Sequence, residues 1–185
     1  METFGGNHQA LFSRLLLTVA STALMSPVAH AQSSVAFAPE VLLDKMSGHW
    51  VMTGTIAERP VTHDVDVDWV LRHQYIRIHE VSREMDADGT YAYEAWIYVV
   101  WDKERSQYAV MWLDNTAPTG FSAAAVGHAK PDADRIPFVW NDPDGSGIHN
   151  TFAYDRATDT WSWTIENVDR SGKLSSFAQL SLKKR

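Results

Sequence analysis

From residue 48 onward, apolar and polar side chains alternate in short runs bounded by turn chemistry, the period-two pattern of half-buried β-strands. The runs cover roughly 48–57, 63–71, 74–84, 91–101, 107–114, 120–128, 135–141, 147–155, 160–168 and 174–183. Between them lie "ADG" (87–89), "DKERSQ" (102–107), "NDPDGSG" (141–147), "DRATD" (155–159) and "RSG" (170–172), rich in the residues that hairpin loops use. A helical period occurs only in "PEVLLDKM" (39–46), with proline at its start, an early acid and a late lysine. The sequence predicts an all-β chain with one short N-terminal helix. About ten sequential antiparallel strands form an up-and-down β-barrel most simply, because closure removes exposed edges. A barrel of about eight to ten strands is just wide enough for one small ligand.

The opening residues follow another rule. Arg14 precedes the apolar run "LLLTVASTALM" (15–25), and "SPVAHA" ends in the small-x-small pattern of Ala29, His30 and Ala31. This reads as a secretory signal over 1–31, too short to span a bilayer as an anchor. Residues 32–38 form a flexible lead-in, and 39–185 form one domain. The expected location is periplasmic or secreted, and the absence of cysteine excludes a disulfide scaffold and thiolate metal sites. A net charge of −7 disfavours nucleic acid and anionic membrane as partners. All eight tryptophans lie after the signal, an aromatic density that either fills a cavity or lines one.

The helix is followed by "SGHW", with Gly48 and Trp50 in a glycine-x-tryptophan arrangement at the first strand. This resembles the lipocalin or calycin superfamily. "GHWVMTG" is similar to the first strand of ten-stranded nitrobindin-like barrels, and residues 44–183 resemble the lipocalin-like domains of exported bacterial proteins. The resemblance implies that Trp50 plugs the closed end under a basic side chain of the last strand, here Lys183. Nitrobindin-like proteins hold haem through a histidine near the C-terminus. This chain has none after His149, so no cofactor is carried over.

Hairpin registration assigns faces. With "RPVT" (59–62) as a loop, Trp50, Met52, Gly54 and Ile56 share an apolar interior face with Val65, Val67, Trp69 and Leu71, while Asp64, Asp66 and Asp68 point out. With a tight turn at Arg72–His73, Trp69 opposes Ile76. The interior set continues through Ile78, Glu80, Ser82 and Glu84, with Ile78 opposite Ile97, Glu80 opposite Ala95 and Ser82 opposite Tyr93. Val99, Trp101, Tyr108, Val110, Trp112 and Asp114 follow.

The charged stretch "HEVSRE" (79–84) thereby splits: His79, Val81 and Arg83 outward, Glu80, Ser82 and Glu84 inward, with Glu84 at the rim. A carboxylate among isoleucines and tryptophans must be paired, protonated or poised for a ligand. Glu80 either bonds Ser82, Tyr93 or a buried water, or serves as the polar handle of a pocket walled by Trp69, Tyr93 and Trp112, with Asp114 nearby.

Histidines 49, 63, 73, 79 and 149 show no metal-ligand spacing and read as surface residues. Asp86 and Asp88 before Gly89 lack the glutamate that a calcium loop would need at its twelfth position, so no metal is expected. Outside, Tyr75, Arg77, His79, Glu94, Trp96 and Tyr98 share a face whose composition resembles an interface core, which raises a homodimer. Nucleophile elbows and phosphate loops are absent from the sequence.

The function expected is binding of a small apolar or aromatic ligand inside the barrel. One alternative is an isomerase or hydrolase using Glu80 as general acid or base. The other is a filled barrel acting as a dimerising or interaction module.

Overall fold

A computed structural model describes residues 37–116, 121 and 123–185. The expected signal at 1–31 and most of the lead-in lie outside the described residues. One helix, α1 (Pro39–Met46), precedes ten strands: β1 (Gly48–Ile56), β2 (Arg59–Val70), β3 (Tyr75–Ser82), β4 (Glu94–Asp102), β5 (Gln107–Asp114), β6 (Val126–Ala129), β7 (Arg135–Asn141), β8 (Gly147–Asp155), β9 (Thr160–Val168) and β10 (Leu174–Lys184). Each strand pairs antiparallel with its sequence neighbours, and β1 pairs with β10 to close the barrel. The predicted all-β up-and-down barrel with a short N-terminal helix is therefore present.

Turn chemistry explains both the agreements and the slips in register. Trp69 faces Ile76, Ile78 faces Ile97, Glu80 faces Ala95 and Ile97 faces Trp112, as the alternation requires. The first hairpin differs. Its turn is the two-residue Ala57–Glu58, with Ile56 opposite Arg59, not the four-residue "RPVT". Both turn residues have positive φ, 47° and 64°, the primed-turn conformation that glycine or asparagine normally signals. Neither residue gives that signal here, so the turn is invisible to composition. The shift preserves parity, which keeps Trp50 and Val65 inside, but it extends β2 back to Arg59 and puts His63 opposite Met52. Likewise, of the run expected over 120–128, residues 120 and 122 lie outside the described residues, and 123 onward is a short 3-10 turn at Ala123–Ala125 followed by β6.

Sealing of one end follows from α1. Leu42, Leu43 and Met46 are buried against Trp50, whose Nε1 donates to Met46 O at 2.8 Å. Tyr108 Oη donates to Pro39 O at 3.2 Å, and Trp161 Nε1 to Lys45 O at 3.2 Å. Three barrel aromatics thus satisfy carbonyls of α1, fixing the helix across this end. The cation above Trp50 is Lys184, its Nζ 5.4 Å from the ring centroid, and not Lys183. Register explains the correction: Trp50 faces Lys184 across β1–β10, whereas Lys183 faces Val51 and points out.

Candidate functional site

The two ends of the barrel differ in how tightly their inward positions are closed. At the helix end, Trp50, Ile76, Val99, Tyr108 and Trp161 are fully buried. At the opposite mouth, the inward-facing Ile56, Val61, Tyr93, Trp112, Trp140 and Ile165 are only half-buried. Beyond them, the exposed Met85, Tyr91, Phe121, Ile148, Leu174 and Phe177 occupy the loops and strand ends at the same end. Apolar side chains thus stay partly exposed at this end, whereas those at the helix end are sealed.

Below this mouth is a buried polar pair. His63 from β2 and Glu80 from β3 are each 2% exposed, and His63 Nδ1 lies 2.6 Å from Glu80 Oε1. Strand alternation puts both on the inward face, and the β2–β3 register sets them on adjacent rungs, with His63 opposite Ser82 and Glu80 opposite Val65. Burial raises the Glu80 pKa, the bond and charge of His63 oppose that rise, and the nearby charge of Asp114 adds to it. The 2.6 Å contact satisfies one polar atom of each side chain inside an apolar wall.

From this pair an aromatic chain crosses the lumen. The His63 ring stacks on Tyr93 with centroids 5.5 Å apart, and Trp112 Nε1 donates to Tyr93 Oη at 3.1 Å. Trp112 meets Trp163 edge-on at 6.3 Å, and Trp163 meets Phe152 at 4.5 Å. Burial and the Glu80 charge push the Tyr93 phenol well above its ordinary pKa, so it stays protonated and can donate. At the far side, Asn150 is 2% exposed and Trp163 is 1% exposed. Neither Asn150 Oδ1 nor Trp163 Nε1 has a hydrogen-bond partner among the described residues.

The structure brings together Glu80, Tyr93, Trp112 and Asp114 at the mouth half, as the alternation predicts. Trp69 is not with them. It lies at the helix end of β2, donates from Nε1 to Asp44 Oδ1 at 2.8 Å and stacks on His73. Ser82 Oγ accepts from Glu84 N at 2.9 Å, so it holds the strand end, and Glu80 turns to His63 in place of Ser82. Asp114 caps its own turn, accepting from Thr116 N at 2.8 Å and Thr116 Oγ1 at 2.6 Å.

His63, which its spacing places with the surface histidines, is instead buried against Glu80. Its signal is parity: two residues before Val65 in the run 63–71, it belongs to the interior face. His49, paired with Asp66 at 2.6 Å, and His73 are exposed as expected. Among the described residues, no group of three or more histidine, aspartate or glutamate side chains is arranged to hold a metal ion.

On the outer wall, Tyr75, Arg77, His79, Trp96 and Tyr98 share one face, all half-buried. His79 stacks on Trp96 at 3.8 Å and meets Glu94 at 2.8 Å, while Arg77 pairs with Asp68 at 2.7 Å. Next to them is a shallow apolar depression of about 300 Å³ against Tyr75, Tyr98, Val100, Ala109, Met111 and Val126. A second, of about 250 Å³, lies beside Trp69 and α1. The residues lining these two hollows do not include His63 or Glu80.

No protein-family model matches the chain, and no curated protein matches it. Among solved structures, it is similar to that titled "Crystal Structure of Rv2717c from M. tuberculosis", at 14% identity and a TM-score of 0.49, covering 80% of this chain and 99% of that one.

Proposed function

We propose that this chain is an exported binding protein that holds a small, mainly aromatic or apolar ligand in the mouth half of its barrel. The observation that carries this reading is the buried His63–Glu80 pair, inward-facing beside the half-buried Tyr93 and Trp112. A packed core has little use for an ionisable pair with aromatics left partly open above it, whereas a binding site needs apolar walls and a few placed polar groups. In this reading Tyr93, Trp112 and Trp140 supply contact area, the apolar rim admits the ligand, and His63–Glu80 orients its polar end.

Native mass spectrometry of the protein purified from its host's exported fraction, set against a denatured sample, tests the proposal. A non-covalent adduct of a few hundred daltons, lost or weakened in Trp112→Ala, is the expected result. A bare mass in wild type, with no uptake of added aromatic compounds, overturns it. A mass of twice the monomer would move attention to the outer Tyr75–Tyr98 face.

One observation favours a catalytic second reading: a carboxyl group with a raised pKa beside an imidazole can pass a proton to or from a bound molecule. Under that reading Glu80→Gln abolishes turnover and leaves binding nearly intact. Under the binding reading the same variant changes affinity alone.

A further inference from the structure

Deep in the mouth half, across the lumen from His63–Glu80, two complementary polar atoms do not find each other. Asn150 lies on β8 opposite Ile165 of β9, and Trp163 lies two residues away on β9 opposite Phe152. They are diagonal neighbours on the inward face, within reach of long side chains. Trp163 Nε1 can only donate and Asn150 Oδ1 can only accept. A bond between them would satisfy both, yet both are unpartnered among the described residues. Buried polar atoms carry a cost of about 1–3 kcal/mol each when unmet, and are normally satisfied.

We infer that Asn150 and Trp163 form the polar anchor of the ligand site and select a neutral aromatic compound carrying a hydrogen-bond acceptor and donor side by side, as on an amide edge. The ligand acceptor takes the Trp163 Nε1 hydrogen, and its donor meets Asn150 Oδ1. This deepens the binding reading above and rests on it. Three features favour a neutral partner. An anion would put a second acceptor against Asn150 Oδ1. It would also share the lumen with the Glu80 and Asp114 carboxyl groups, and the charge of Asp114 already raises the Glu80 pKa, making a further negative charge there costly. A cation would leave the indole donor unanswered. The ring of such a ligand meets the half-buried Trp112, where edge-to-face contact adds to burial.

The test is a matched series of naphthalene, naphthamide, naphthol and naphthoate, titrated calorimetrically into the purified protein. Naphthamide is expected to bind about tenfold tighter than naphthalene, the gain from roughly one net neutral hydrogen bond, and naphthoate more weakly than naphthamide. In Asn150→Leu the preference for naphthamide over naphthalene should vanish while naphthalene still binds. Trp163→Phe keeps a ring and removes the donor, and should erase the same preference, which covers the case in which Asn150→Leu does not fold.

Naphthalene binding as tightly as naphthamide in wild type would overturn the anchor while leaving the binding site standing. This is the outcome if a trapped water alone satisfies the two atoms. Preference for naphthol over naphthamide would replace the amide edge with a single hydroxyl and refute the class named here. If none of the four binds and no native adduct exists, the binding reading itself falls.

Discussion

Replacing His63 and Glu80 separately and together measures what the buried pair contributes to the fold. Both side chains are 3% exposed and 2.6 Å apart, so neither can recover water when its partner is lost. His63→Leu strands a carboxyl group in an apolar interior, and breaking such a pair costs about 3–5 kcal/mol. Glu80→Met strands an imidazole and should cost about 1–3 kcal/mol. The double variant leaves no orphan. Replacing both partners by apolar groups of similar size is often neutral or stabilising, so the pair of changes should cost less than His63→Leu alone.

Urea unfolding followed by tryptophan fluorescence reads each value, with the midpoint compared at constant slope. The pH dependence supplies an independent check. The Glu80 pKa is raised in the fold, so between about 4.5 and its folded value the native state binds more protons than the unfolded chain. The contribution of Glu80 is then most favourable below its unfolded pKa and declines as pH rises toward the folded value. Wild type should lose stability relative to Glu80→Gln over that rise. Additive single and double costs at neutral pH, together with parallel pH profiles for wild type and Glu80→Gln, would refute the coupling.

Other outcomes follow from close contacts elsewhere. Gly127→Val should destabilise by about 1–3 kcal/mol and shift tryptophan emission, because a Cβ there would stand 2.4 Å from the Trp140 ring. Gly54→Ala should be more damaging still in the same unfolding assay, since its Cβ would lie 2.0 Å from Gln179 O at a φ of +152°. Lys184→Met should alter the near-ultraviolet circular dichroism of Trp50 while Lys183→Met leaves it unchanged, because only Lys184 lies over that ring. In an alkaline absorbance titration, Tyr154 should ionise at about 12 while Tyr93 and Tyr108, both held up chiefly by burial, stay protonated until the barrel unfolds.

The sequence by itself determined the helix at Pro39–Met46, the number and order of the strands, and the inward position of Glu80, Tyr93, Trp112 and Asp114. Period-two alternation and aspartate–glycine turns are local signals, and most strands obey them. Parity survives a misplaced turn when the slip is an even number of residues, which is why the interior face of β2 was right although its first hairpin was not.

Only tertiary structure decided which inward side chains meet. Strand polarity separates Trp69, beneath α1, from Tyr93 and Trp112 near the mouth, although all three are inward aromatics. Closure of β1 on β10 sets Lys184 rather than Lys183 over Trp50. The partners of Glu80 and Trp163 lie 17 residues away in His63 and across the lumen in Trp112. Alternation says whether a side chain enters the barrel. How far along the axis it enters, and what it finds there, depends on turn conformations such as Ala57–Glu58 and on the register of the closed sheet, which no short stretch of sequence contains.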